Sequence, residues 1–363
     1  MTARKETFVT WSSISTDSHY KSNSFYHSLS KFSTDKPKFV ANKFILMKNL
    51  IFFLTAISFF SCKNNSQGLD FQEVNSTSSG IVVLGIAQDA GFPQADCRKE
   101  CCAEAWKNPH LRRSATCLAL FDSIENKYWL FEATPDIKLQ MNQLQKMHSE
   151  TSPELAGIFL THAHIGHYTG LMHLGHEVMG TKEIPVFAMP RMRSFLTENG
   201  PWSQLVDLNN ITLQNLSKDS TIHLNSRFSV TPIRVPHRDE FSETVGFRIE
   251  SPTGSVLFIP DIDKWQKWDR NIIKEIAKVD LAFLDATFFQ NGEIPGRDMA
   301  LIPHPFVEET MKLFENQPLS EKAKIRFIHF NHTNPALQKG SDAQKEIFEN
   351  GFGIAEEGDS FQL

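Results

Sequence analysis

Four apolar residues, Gly157-Ile158-Phe159-Leu160, run directly into Thr161-His162-Ala163-His164-Ile165-Gly166-His167-Tyr168-Thr169-Gly170. An apolar run of strand length that stops at a polar residue reads as a buried strand, which delivers the next residues to its C-terminal edge. Two histidines separated by one residue can turn both imidazoles onto one ion. A third histidine, three further on and opening a helix, can reach a neighbouring ion. Neutral imidazole suits Zn, Fe, Ni and Cu. One histidine in such a place is most simply a packed or solvated side chain; three within six residues point to a metal-binding loop.

The chain has 363 residues, 40% of them hydrophobic, enough for one large domain or two small ones. A net charge of -5 and a pI near 6.3 leave no basic footprint for nucleic acid, so a small-molecule or peptide substrate is expected. Nothing in the sequence speaks to oligomeric state. Residues 1–46 are rich in Ser and Lys without apolar periodicity and read as an extension ahead of the true start at Met47. From there a positive start, a short apolar core and Ser61-Cys62 form the pattern of a secretory signal with a lipoprotein cleavage site. The apolar core is too short to span a bilayer, which takes ~20 residues. Acylation of Cys62 would hold the protein on a membrane surface of the cell envelope, facing periplasm or exterior, through a polar tether over residues 63–79.

Beyond that tether, Ile81-Val82-Val83-Leu84-Gly85-Ile86-Ala87 predicts a first buried strand, ending in a Gly/Pro turn that reaches Gln94. Cys97, Cys101 and Cys102 follow. Three thiolates so close can occupy three corners of a tetrahedral zinc site, with one donor to come from elsewhere. In an exported protein, Cys101 and Cys102 can instead oxidise. Residues 114–121 and 128–133 predict a strand pair, with Cys117 packed in its core. Thr134-Pro135-Asp136-Ile137 opens a helix, and the stretch from Tyr168 to Val178 predicts another. Pro201-Trp202 marks a loop near which a substrate can pack. Val256-Leu257-Phe258-Ile259-Pro260-Asp261 and Leu281-Ala282-Phe283-Leu284-Asp285 are apolar strands ending in carboxylates. Ile325-Arg326-Phe327-Ile328 runs into His329.

This order of residues resembles the metallo-β-lactamase superfamily, whose signature is HxHxDH after such a strand, with Gly166 standing where the signature has Asp. From about Ile81 onward the chain is similar to the family of coenzyme PQQ synthesis protein B. That similarity is carried by Gly91-Phe92-Pro93-Gln94, Ala133-Thr134-Pro135-Asp136-Ile137 and His329-Phe330-Asn331-His332-Thr333-Asn334-Pro335. The resemblance implies an α/β fold, the αββα sandwich of two mixed β-sheets flanked by helices, over residues 80–363. It implies a first metal on His162, His164 and His237. A second sits on His167, Asp261 and His329, with Asp261 able to touch both and Asp263 as its fallback. Lacking an Asp at 166, the second site has reduced charge and affinity. Asp136 is implied to lie beside the metal loop and orient it, although a helix cap or first-turn acid fits the same residues. His304 is implied as a general acid. Related phosphodiesterases carry a structural zinc on N-terminal cysteines and a late histidine, which puts His332 with Cys97, Cys101 and Cys102. The spacing Cys-x3-Cys-Cys departs from that family's Cys-x-Cys-x2-Cys, leaving open which cysteines bind.

Three histidines with one open position are what catalytic zinc uses to bring bound water to a pKa near ~7. Two His and one carboxylate also match the ligand set of non-haem iron enzymes. The expected activity is therefore metal-dependent hydrolysis of an ester, lactone or phosphodiester. It uses one or two active-site Zn2+, with Fe2+ as the alternative, beside one structural Zn2+. The resemblance to the PQQ family implies a second activity, iron-dependent hydroxylation or carriage of PQQ or its precursor. A non-catalytic, metal-containing binding lipoprotein is a third. The retained histidines and an anchor away from the cytoplasm rank hydrolysis first. Radiolabelled palmitate should mark the wild type and not Cys62→Ala; equal labelling of the two would dispose of the anchor.

Overall fold

The computed structural model describes residues 78–363. The extension 1–46, the signal 47–62 with Cys62, and the tether up to residue 77 lie outside the described residues. Six strands come first: β1 (Gly80–Gly85), β2 (Cys117–Asp122), β3 (Lys127–Phe131), β4 (Glu154–Phe159), β5 (Ile184–Ala188) and β6 (Ile211–Asn215). Seven follow: β7 (Ile222–His223), β8 (Ser229–Arg234), β9 (Val245–Glu250), β10 (Ser255–Ile259), β11 (Leu281–Asp285), β12 (Ile325–Ile328) and β13 (Gly353–Ile354). The last, β14 (Ser360–Gln362), returns to pair with β1. They form two seven-stranded sheets, ordered β14-β1-β2-β3-β4-β5-β6 and β13-β12-β11-β10-β9-β8-β7.

Each sheet is mixed. From β3 to β6 the first is parallel, as is the second from β10 to β13; the remaining pairs are antiparallel. Strands β1, β2, β3, β10 and β11 are buried on both faces, which is why they read as apolar runs rather than alternations. Successive side chains divide between the two faces. Trp129, Phe131 and Phe159 point to the second sheet, whereas Tyr128, Leu130 and Ile158 point to a layer of helices. That layer includes Ile137 and Leu144 of the helix Ile137–Met147 and Met192 and Leu196 of the helix Pro190–Glu198. Between the sheets, the Phe131 ring lies 5.0 Å from Phe159, 5.6 Å from Phe247 and 6.4 Å from Phe258. Full burial of each such ring contributes roughly 1.5–3 kcal/mol.

Strand direction positions the site. β8, β10, β11 and β12 run the same way, so all four end at one edge, where β3 and β4 of the first sheet also end. Backbone hydrogen bonds close that edge: Phe330 N to Ile86 O at 2.9 Å, Gln88 N to Phe330 O at 2.9 Å and Val245 N to Thr161 O at 3.1 Å. At the opposite end, buried Asp122 accepts from Arg227 and from Asn225 Nδ2, joining β2 to the β7–β8 hairpin. The expected helix from Tyr168 to Val178 is shorter and tighter. An α-turn over Ile165–Tyr168 continues as a 3-10 helix over Thr169–Leu174 and stops at extended Gly175.

The turn before β14 sets Glu357 against Ser114, whose backbone N–H it accepts. Burial pushes the Glu357 carboxyl up to about 7, against the opposing pull of that N–H and of Arg113. The folded chain thus binds a proton more tightly than the unfolded one. Stability falls as pH rises from about 4.5 through about 7. Glu357→Gln, which keeps the acceptor and removes the charge, should gain about 2 kcal/mol at pH 8 and almost nothing at pH 4. Urea midpoints at the two pH values test this; an equal shift at both would refute it.

Candidate metal centre

His162, His164, His237 and Asp261 offer ligand atoms that all lie within 4.8 Å of one another, as do those of His167, Asp261 and His329, and those of Asp261, Asp285 and His304. Every one of these side chains comes from the C-terminal end of a strand or from the segment after it. His162 and His164 follow β4, and His167 stands on the short helix Ile165–Tyr168. His237 follows β8, Asp261 follows β10, Asp285 ends β11 and His329 follows β12.

Asp261 is the common member. Its Oδ2 lies 3.3 Å from His162 Nε2 and 3.7 Å from His167 Nε2; its Oδ1 lies 3.3 Å from His237 Nε2 and 3.2 Å from His304 Nδ1. Few of these approaches are oriented as hydrogen bonds. His167 Nε2, both ring nitrogens of His237, Asp261 Oδ1 and His329 Nε2 are buried with no hydrogen-bond partner among the described residues. A buried unpaired polar atom costs roughly 1–3 kcal/mol, and divalent cations in the two clusters would satisfy all of these except one nitrogen of His237. The donor set, imidazoles with a carboxylate, suits zinc or iron.

Burial, with the neighbouring imidazoles, holds His162 and His329 well below the ordinary histidine range, and burial takes His237 down to about 4. These rings are neutral, as metal ligation requires, so their approaches to Asp261 are not ion pairs. His167 and His304 behave oppositely. Burial disfavours their charged forms, but Glu132 lifts His167 to about 9, and Asp285 with Asp261 lifts His304 to about 9. His304 Nδ1 is 2.8 Å from Asp285 Oδ2.

Glu132, which no sequence pattern marks, supports two of these histidines. Its Oε1 lies 3.1 Å from His167 Nδ1 and accepts from Thr161 Oγ1, while Thr161 Oγ1 is 2.9 Å from His162 Nδ1. Such contacts fix ring orientation and tautomer and leave the opposite nitrogen for an ion. A glutamate after a β3-like strand looks like any strand end; its φ of 91, rare for a non-glycine residue, marks it only in three dimensions. Asp136 is the corresponding correction. Its carboxylate accepts from Ala115 N at 2.9 Å, makes no cap bond to its own helix, and does not touch the metal loop. The resemblance implied the orienting role for Asp136; Glu132, four residues earlier, makes the contact to His167. Asp263 is turned to Lys267 Nζ at 2.7 Å, outside the cluster. Asp285 and Thr287 were also missed: Thr287 Oγ1 donates to Asp285 Oδ1 at 2.7 Å and lies 3.0 Å from His329 Nδ1.

Cys97, Cys101, Cys102 and His332 form a separate cluster. Cys97 and Cys101 Sγ are 3.8 Å apart, Cys101 and Cys102 Sγ 4.0 Å, and His332 Nδ1 lies 3.7 and 3.5 Å from Cys101 and Cys102. Around a tetrahedral zinc with bonds of about 2.3 Å to sulfur and 2.0 Å to nitrogen, such edges come to about 3.5–3.8 Å. All three cysteines therefore fit one ion, and none of them is in a disulfide. Burial pushes the Cys102 thiol up to about 12, so thiolate formation there is coupled to arrival of the cation. The cluster ties the helix Glu100–Lys107 to the segment that also carries His329. Cys102→Ser should lose one zinc equivalent and lower Tm by roughly 5–10 °C, the effect of ~3 kcal/mol in a domain of this size. Metal analysis with thermal melting checks it, and unchanged zinc content would remove this site.

Residues 128–330, more than half of the chain, match the family model described as Beta-lactamase superfamily domain. Coenzyme PQQ synthesis protein B of Rhizobium meliloti (strain 1021) is 27% identical over 316 residues, covering 80% of this chain and 100% of that protein. Its counterpart in Gluconobacter oxydans (strain 621H) is 26% identical over 314 residues, covering 78% and 98%. Among solved structures, Zn(2+)-bound PqqB from Methylobacterium extorquens matches with a TM-score of 0.65 at 22% identity, covering 78% of this chain and 99% of that one. A diphosphatase from the PhnP family matches with a TM-score of 0.54 at 19% identity, covering 78% and 98%. With two facing mixed sheets and a histidine loop at their shared edge, the chain belongs to the metallo-β-lactamase superfamily and is similar within it to coenzyme PQQ synthesis protein B.

Proposed function

We propose that this chain is a metal-dependent hydrolase of an ester, lactone or phosphodiester. His162, His164, His237 and Asp261 would hold one divalent ion, and His167, Asp261 and His329 a second. The observation that carries this reading is the set of buried, unpaired ligand atoms converging on Asp261. Zinc is supported by the donor chemistry, and by the zinc-bound relative of the same fold. When bound, such an ion polarises a carbonyl or phosphoryl oxygen and lowers the pKa of water.

The chain's own residues supply the rest. Glu132 and Thr161 hold His167 and His162 in the orientation that leaves their Nε2 atoms facing Asp261. His304 has its Nδ1 committed to Asp285 and Asp261, which keep the ring protonated near neutral pH and leave Nε2 as the atom able to hand a proton to a leaving group. Ile165, Phe241 and Leu301 expose their side chains on segments that carry ligands or His304. Exposed apolar side chains so near the ligands in the chain would suit a small substrate with an apolar portion. A pocket of about 330 Å³ lined by Met172, Val178 and Trp202 lies in the region where the sequence suggested substrate packing.

A second reading rests on a different observation. The similarity to coenzyme PQQ synthesis protein B spans the whole of that protein, and the two-histidine, one-carboxylate set of His167, His329 and Asp261 suits ferrous iron. Under that reading the chain hydroxylates or carries PQQ or its precursor, and bound iron with substrate-dependent oxygen uptake would select it. Under the hydrolase reading, His162→Ala/His164→Ala should lose metal held by the wild type and nearly all esterase or phosphodiesterase activity. His304→Gln should keep its metal and slow turnover by roughly 10²–10⁴-fold, most for substrates with poor leaving groups. Wild-type metal content in the double histidine variant would defeat the proposal.

A further inference from the structure

Gly166 stands one residue before His167, and the space its side chain would need is already taken. A Cβ there would lie 2.4 Å from Asp89 Cα and 2.8 Å from Asp89 O. A side chain at 166 and the turn that follows β1 cannot share this volume, so glycine at 166 is a condition for Asp89 to sit where it does. The turn is pinned on both sides. Gln88 N donates to Phe330 O at 2.9 Å, immediately after His329, and Gly91 N donates to Gln88 O at 3.1 Å. Asp89 has φ 47, a left-handed conformation that aspartate tolerates better than most residues. Its side chain therefore leaves the backbone close to the point from which a residue-166 side chain would have left.

The neighbouring cluster has a use for a carboxylate there. His167, Asp261 and His329 give three donors, and the one carboxylate among them is shared with the first cluster. A four-coordinate ion needs one more donor, and two dications on one shared carboxylate leave excess positive charge in a buried place. Asp89 is half-buried and makes no hydrogen bond or ion pair among the described residues. Its carboxylate is not among the ligand atoms that already lie within 4.8 Å of one another, so its side chain would turn in on the ion as the ion binds.

We infer that Asp89 is the fourth donor of the His167–Asp261–His329 centre, the carboxylate that a glycine at 166 does not supply. The inference rests on the metal-dependent reading above and adds a residue from a distant part of the chain. The test uses the full chain, wild type and Asp89→Asn, loaded with zinc, titrated with a chelator and assayed for bound zinc by mass spectrometry. Thermal melting before loading shows whether the isosteric variant folds as the wild type does. Asp89→Asn should give up one zinc equivalent at a chelator concentration roughly 10–100-fold lower than the wild type needs, with the other equivalents unchanged. On cobalt loading, Asp89→Cys should add a thiolate-to-cobalt absorption band beyond that of the cysteine cluster. Unchanged zinc retention, absence of the added band, or a wild type holding only one zinc on its histidines overturns the inference and leaves the hydrolase reading standing. A wild type holding none there overturns both.

Discussion

The carboxylate of Asp261 is approached by four imidazoles, those of His162, His167, His237 and His304, at 3.2 to 3.7 Å. Burial pushes its own pKa up, yet the chain surrounds it with rings of two kinds. Burial keeps His162 and His237 neutral; the carboxylates of Glu132 and Asp285 keep His167 and His304 protonated. The neutral rings are ready to ligate. Under the proposed hydrolase reading the charged ring of His304 would give up a proton, while that of His167 would lose its own to bind an ion. Two carboxylates thus set which rings of the site are charged: Glu132 charges one of the His167–Asp261–His329 cluster, and Asp285 charges His304. Similar divisions of role by environment underlie paired acid and base assignments elsewhere.

Holding these groups at one edge has a backbone cost. Glu132 (φ 91), His329 (φ 67) and Asp89 (φ 47) are all left-handed non-glycine residues, each costing on the order of 1–2 kcal/mol. They share a position: each lies just after a strand that ends at the metal edge. A strand arriving there must turn sharply to present a side chain to the neighbouring sheet rather than continue its own. Phe330 N to Ile86 O between the sheets and Glu132 N to Phe159 O within the first sheet, each 2.9 Å, hold those turns. Aromatic packing between Phe131, Phe159 and Phe247 makes the edge rigid enough to bear the strain.

What could be read from the sequence follows from these same facts. The histidine loop was legible because a buried strand and its ligands are contiguous. His237, Asp261 and His329 were legible only through their order, by resemblance, because each follows a separate strand. The two mixed sheets came from the resemblance as well, since doubly buried strands give no alternation to assign faces. Glu132 was not legible, because nothing local separates a strand-end glutamate that supports a histidine from one that faces solvent. Asp136 was misplaced for a related reason. Thr134-Pro135-Asp136 announces a helix start, and a carboxylate there could equally point to Ala115 N, as it does at 2.9 Å. The relation between Asp89 and Gly166 depends on two turns from different strands touching, which no local pattern encodes.

The segment after β12 links the two clusters. His329 faces the Asp261 centre and His332 faces the three cysteines, with Phe330 between them buried and bonded to Ile86 and Gln88 through its backbone. This short segment therefore joins the cysteine cluster, which offers four protein donors to one ion, to the centre proposed to carry the chemistry. A structural site contributes folding energy, whereas a catalytic one contributes reactivity. Placing a ligand of each on the same short segment lets the first pin the second. The strained His329, whose Nε2 has no partner among the described residues, would then be held by an anchor that takes no part in the chemistry.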